Sequence, residues 1–515
     1  MNKSFIILSI CLLFLLSLFV FQKINLTNID LGRHIVNGKL FLNAQNFDIS
    51  RDALVHTNFF SYTNPDFPFI NHHLGSGILF YIIFLILGFG GLSLLYGGII
   101  LFSTFLLFYI WRNKIPIFIL FPIILFLIPL IGERTEVRPE VFGYLFISII
   151  ITLLLLYDSD RIQKKWLYTI PVLSLFFVNM HIYFIFYPFI LGLFLFENLI
   201  RKNFIKVKNL SIVLSLSILA LFVNPYGFKG IIYPFIIFKK YGYLVAENQS
   251  ISFLINYGVR NPNFFWWKIA TIFLILTSLF IFLKHRNKFP IALFLISSTF
   301  AILSFLGIRH FSLYGLSLIP LFLNYSYILY TKTEDTQKLE KHIIRSIGIS
   351  VFMLIFILFF FRTNLPFYTT FGIGLKENVN NSMNFYKTQD ITGPIFSNYD
   401  IGSYLIFHLD EKEKVFIDNR PEAYPVSFLQ NEYIPMQNDD TVWDKEQNKW
   451  QFNVIYFYRL DMTPWAQEFL IKRISDPLWA PVFVDDYTII FLNRNEKNAS
   501  IIKQYELPKS MFSIK

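Results

Sequence analysis

A helix crossing the hydrocarbon core of a membrane needs about 20 mostly apolar residues, and this chain supplies such runs repeatedly. They occur near 5–21, 74–111 (long enough for two), 115–131, 141–157, 166–178, 182–199, 210–223, 267–283, 289–307, 311–330 and 344–361. The runs predict an α-helical polytopic membrane protein with about 11–12 spans. One large soluble domain is excluded on composition too: 15% of the 515 residues are charged, against about 25% in an average soluble domain. The first run follows Lys3 and lacks a small-x-small cleavage pattern before Gln22-Lys23, so it reads as a retained anchor. The single cysteine, Cys11, lies inside that run, which removes disulfide-scaffold and redox readings.

The charge is divided unevenly: residues 1–361 carry a net +15 and residues 362–515 a net −4. A basic half can signal nucleic acid, but here the cations sit in short loops between apolar runs, the pattern of cationic cytoplasmic loops. Nucleic acid is therefore not an expected partner. Loops with Arg112/Lys114, Arg161/Lys164/Lys165, Arg201/Lys202/Lys206/Lys208, Lys284/Arg286/Lys288 and Lys332/Lys338/Lys341 are read as cytoplasmic. Segments 22–73, 132–140, 179–181, 224–266, 308–310 and everything after 362 then face outside. Two full crossings within 74–111 would reverse this assignment, so one half of that run is expected to be re-entrant, or a short helix elsewhere is miscounted. The Lys-, Asn- and Ile-rich composition points to a bacterial plasma membrane.

Two domains are expected: a multi-pass domain over 1–361 with a large first outer loop (22–73), and a C-terminal α/β extracytoplasmic domain over 362–515. In the latter, 394–396 and 414–418 read as strands around a helix over 402–409. Residues 453–457 are strand-like, Thr463-Pro464-Trp465 opens a helix, and 482–484 with 488–492 form a hairpin. About 150 residues suffice for one core.

Ionisable groups at membrane depth are costly and mark function by default, and here they gather at the outer ends. In the first loop Asp30 lies one helical turn from His34. A partly desolvated carboxylate there can take a proton from a hydroxyl; a plain helix cap is the alternative. His72 and His73 make a weak metal signal beside a structural pair. Between two spans, Glu133 to Glu140 alternates acids and bases. The fork of Arg138 suits a phosphate, while mutual salt bridging with Glu136 and Glu140 is the plainer reading. His181, Arg309 and His310 sit at further outer ends and are candidates for the same substrate.

Short blocks now add up: Asp30 with His34 and Gly38, HTNFFSYT (56–63), NHHLGSGILFY (71–81), RPEVFGYL (138–145), NMHIYF (179–184), NPYG (224–227), ENQS (247–250), RHF (309–311), NYDIGSYL (398–405) and VFIDNRPEAYP (415–425). Their order resembles the GT-C glycosyltransferase superfamily, and more closely an uncharacterised bacterial multi-pass membrane branch of it. The resemblance implies a GT-C-like fold, a sugar donor on a polyprenyl phosphate, and transfer to an acceptor hydroxyl whose identity stays open. It implies that Asp30, beside His34, acts as base or metal ligand, with Glu136 or Glu140 as second acid. Arg138 would lie near the phosphate, with His72, His73, His181, Arg309 and His310 around the substrate. A divalent metal ion is left open. The chain departs from the superfamily in having no paired Asp-x-Asp in the first loop, Arg33 before His34, and Leu74 where a Trp is expected. Two other readings compete: a transporter or flippase of lipid-linked sugars, which calls for inverted repeats that the sequence does not show, and a non-catalytic membrane protein of envelope assembly.

Overall fold

A computed structural model describes residues 3–237, 242–330, 348–357, 370–410 and 413–512. The expected domain boundary at 361 and the loop with Lys332, Lys338 and Lys341 lie outside the described residues, as does part of the run 344–361. Contacts divide the chain into two compact units: Met1–Lys23, Gly90–Ile231 and Val245–Ile373 in one, and Ile24–Phe89, Ile232–Leu244 and Gly374–Lys515 in the other.

The protein is mostly helical, as the apolar runs predict. Among the described residues, five helices are long and apolar enough to cross a membrane: Leu74–Tyr109, Glu140–Asp158, Ile182–Ile200, Pro262–Lys288 and Ile308–Tyr330. Shorter apolar helices among the described residues are Phe5–Val20, Ile117–Ile131, Ile291–Leu306 and Gly348–Ile357. The run 166–178 becomes a 3-10 turn and the helix Thr169–Phe177, only about 14 Å of α-helical rise. The run 74–111 is one helix broken at Gly88, whose φ of 61° and ψ of −158° are non-helical. Residues 74–87 rise about 21 Å, short of a roughly 30 Å hydrocarbon core. One span and one short leg, not two crossings, fit that length.

In the helical unit the Ile308–Tyr330 segment is the packed centre, with 78% of its most apolar stretch buried; the corresponding figure for Pro262–Lys288 is 28%. The latter helix begins as the sequence dictates: Pro262 occupies the first turn and the Asn261 side chain accepts the amide of Asn263.

The other unit holds a four-stranded sheet of β1 (Ile395–Ser397), β2 (Val454–Tyr458), β3 (Trp479–Val484) and β4 (Thr488–Asn493), in the order β1-β2-β4-β3. β1 and β2 are parallel, and the other pairs antiparallel. The helices Gly402–His408 and Pro464–Ser475 and the β3–β4 hairpin stand where expected. The strand expected over 414–418 does not form. That segment makes one isolated bridge, Val415 to Ser61, because its neighbour is the first loop and not the sheet. Tyr62 N–H donates to the Val415 carbonyl, and the Ser61 and Thr63 hydroxyls donate to that of Phe416. The Tyr62 hydroxyl donates to the Ile395 carbonyl. HTNFFSYT is therefore a lining of this unit, and Phe69 joins Phe396, Phe416, Phe452 and Trp443 in its core.

Candidate functional site

Asp30 begins the helix Leu31–Leu42 in the sheet-bearing unit. It stands at the N-cap position but makes no side-chain cap hydrogen bond. Its Oδ2 instead lies 3.0 Å from His34 Nε2 and 3.5 Å from an Arg33 guanidinium nitrogen. Helical spacing brings the three together, and packing fixes them. Arg33 N–H donates to the Ser403 hydroxyl on the Gly402–His408 helix, and a side chain at Gly32 would clash with the Ser403 carbonyl. Burial, and then the charge of Arg33, push the His34 imidazole down to about 4, so it is neutral near pH 7. A neutral ring with hydrogen on Nε2 donates to Asp30 and leaves Nδ1 bare, and Nδ1 is buried with no hydrogen-bond partner among the described residues. His73 stacks edge-on to His34 at 5.1 Å, and His72 lies 3.9 Å from His73, with its Nδ1 on the Ile70 carbonyl.

These groups do not fit a divalent cation. Among the described residues no group of three or more His, Cys, Asp or Glu side chains is placed to hold a metal ion. At Asp30 the neighbouring charge is the cation Arg33, where a metal site would place further acids.

The segment Asp418-Asn419-Arg420-Pro421-Glu422 forms a salt-bridged turn in the same unit. Arg420 donates to both Asp418 oxygens at 2.7 and 2.6 Å, and to Asn58 Oδ1 at 2.8 Å. Its guanidinium stacks on Phe69 at 4.6 Å. Arg420 and Asp418 are buried, so the pair ties the first loop to the tail of the chain.

In the helical unit the alternating segment does what mutual salt bridging predicts. Arg134 Nε donates to Glu140 at 2.6 Å and another of its nitrogens to Glu247 at 2.9 Å. Arg138 reaches the same Glu247 oxygen at 2.9 Å and Glu136 at 2.7 Å. Arg309 donates to Asn248 Oδ1 at 3.0 Å, and lies 3.8 Å from Glu140 and 4.0 Å from Glu247. Burial alone would raise the Glu247 carboxyl, but Arg138, Arg134 and Arg309 outweigh it and hold the group down at about 2. Glu133 stands apart: burial pushes it up despite amide donation from Asn263 and Asn261. His181 accepts the Tyr183 amide and so caps a short 3-10 turn, while the Tyr183 hydroxyl meets His310 Nδ1 at 3.0 Å.

The structure thus joins Asp30, His34, His73 and His72 in one unit. It joins Glu136, Arg138, Glu140 and Arg309 in the other, where His181 and His310 share Tyr183. The hub of the second cluster, Glu247, and its partner Arg134 stand in the sequence among the outer-end polar groups, but without a role in the expected chemistry. A signal existed: Glu247 is the one acid between Glu197 and Glu334, in a stretch rich in Lys and Arg.

No family model matches the chain, and no curated protein matches it either. Solved structures do. The archaeal oligosaccharyltransferase AglB from Archaeoglobus fulgidus, in complex with an inhibitory peptide and a dolichol-phosphate, superposes with a TM-score of 0.56 at 12% identity, covering 97% of this chain and 75% of that one. The apo oligosaccharyltransferase from Archaeoglobus fulgidus gives 0.54 at 12% identity, covering 95% and 74%. The chain therefore has the fold of these oligosaccharyltransferases, with apolar helices long enough to cross a membrane, and its C-terminal residues carry a small sheet.

Proposed function

We propose that the chain is an integral-membrane glycosyltransferase that moves a sugar from a polyprenyl-phosphate donor to an acceptor hydroxyl. The observation that carries this reading is the Asp30 carboxylate, turned away from capping and held by a neutral His34 and by Arg33. The fold likeness supports a lipid-linked donor, since one neighbour was solved with a dolichol-phosphate.

Transfer needs a base for the acceptor hydroxyl and cations for the departing phosphate; the sheet-bearing unit offers the base, Asp30, and the helical unit offers the arginines. Asp30 would take the acceptor proton while the acceptor oxygen bonds to the anomeric carbon. The bond from that carbon to the phosphate oxygen breaks, and the electron pair leaves with the phosphate. Fixed guanidinium groups stabilise such charge best in a water-poor site. Arg138 is the candidate, because its partner Glu136 is 38% exposed, the most open carboxylate of the cluster, and an incoming phosphate can displace it. Arg309 would assist. These ends would face the outside of a plasma membrane, a reading that the Lys- and Arg-rich loops support; there a lipid carrier must supply the sugar because nucleotide sugars are cytoplasmic.

The test uses purified protein in lipid vesicles with radiolabelled polyprenyl-monophosphate sugars. Wild type should release or transfer sugar, and Asp30→Asn should lower turnover by about 10²–10⁴-fold without loss of folding or insertion. Unchanged turnover in Asp30→Asn removes Asp30 from the mechanism. Saturable donor binding without release would favour a transporter instead.

A further inference from the structure

We propose that an anionic phospholipid docks at the start of the Pro262–His285 helix, in a cavity apart from the ion-pair cluster. The cavity measures about 400 Å³ and is lined chiefly by Ile255, Val259, Phe264, Phe265, Arg260 and Lys268. Among the described lining residues the ionisable groups are the two cations. Arg134, Arg138 and Arg309 are bound to carboxylates, but Arg260 and Lys268 have no ion-pair or hydrogen-bond partner among the described residues. Two unpaired cations over apolar walls call for a ligand with a charged head and a hydrocarbon body.

The helix below the cavity matches that body. From Lys268, steps of four residues lead to Ile272, Leu276 and Phe280, which are 57%, 60% and 49% exposed. The adjoining row, Ile275, Leu279 and Leu283, is 58%, 53% and 70% exposed. Two parallel apolar rows beneath a doubly cationic head suit a two-chain phosphodiester lipid. The phosphate would accept from the Arg260 fork and from the Lys268 ammonium, charge-assisted bonds stronger than neutral ones. Free phosphate would leave the apolar walls and both rows uncovered.

The full chain, purified in neutral detergent and offered phosphatidylglycerol or phosphatidylcholine, should retain the former as a bound adduct in native mass spectrometry. Retention should fall about tenfold for phosphatidylcholine, and about tenfold for phosphatidylglycerol on the Arg260→Gln/Lys268→Gln protein. Both side chains are exposed, so the double variant should melt with wild type, and Arg260→Lys/Lys268→Arg should restore retention and guard against a folding artefact. Equal retention of the two lipids, or unchanged retention in the double Gln variant, overturns the proposal. So does displacement by excess inorganic phosphate, or a preference for polyprenyl phosphate over phosphatidylglycerol. The readout does not depend on sugar transfer, so it separates this site from the proposed activity.

Discussion

At the scale of single residues, burial separates side chains that the sequence presents alike. Glu136 and Glu247 both pair with Arg138, but Glu136 is 38% exposed and Glu247 17%. Glu247 also holds Arg134. Removing one partner of a buried pair strands the other charge, so Glu247→Gln should cost about 3–5 kcal/mol of stability. Glu136→Gln should cost about 0–1 kcal/mol, and thermal unfolding in detergent distinguishes them. The buried histidines give a pH dependence. His34 and His408 fall from 6.5 to about 4 in the folded chain, so between those values the unfolded chain binds more protons. Stability from this source is therefore complete above pH 6.5 and lost as pH falls toward 4. Unfolding temperatures measured across that window should slope upward with pH, and His34→Gln/His408→Gln should flatten the slope.

At the scale of elements, close approach of backbones decides what a glycine means. Gly38, on the Leu31–Leu42 helix, faces the Gly77 carbonyl so closely that a Cβ would overlap it, and a Cβ at Gly77 would lie 2.8 Å from the His34 carbonyl. This contact also fixes the turn that carries His34. Gly38→Ala should thus destabilise by about 1–3 kcal/mol and reduce turnover by misplacing His34. Gly90→Ala, in a helix with nothing within 4 Å of its Cβ, should be neutral or stabilising by up to about 1 kcal/mol. Paired melting curves and turnover of the two variants check this. The contact that makes Gly38 critical joins residues nearly 40 positions apart, Gly38 and Gly77.

At the scale of the whole molecule, the first loop and the tail are one folding problem. Residues Ile24–Phe89 cluster with Gly374–Lys515, joined by the buried Arg420 bonds to Asp418 and Asn58 and by Phe69 in the aromatic core. A chain truncated after residue 361 should lose transfer activity, and its first loop should become protease-sensitive while the apolar helices still insert. Limited proteolysis in membranes reads this out; a protected loop in the truncated chain would refute it. The same arrangement explains why HTNFFSYT and VFIDNRPEAYP were visible as blocks while their shared role was not. Each is a half of a contact, and a lone half carries no pattern.

The membrane class, the helical content and the β1, β2 and hairpin strands could be read from the sequence, because hydrophobic length, period and turn chemistry are local. So could the pairing of Asp30 with His34, which needs only one helical turn. Tertiary structure alone decided that Asp30 is not a cap, that 414–418 packs on the first loop instead of joining the sheet, and that Glu247 holds Arg134 and Arg138 together. Each of these depends on a partner more than 100 residues away in the chain, or on which oxygen lies nearer a buried charge. Desolvation and Coulomb energies act through space, and the order of residues does not encode those distances.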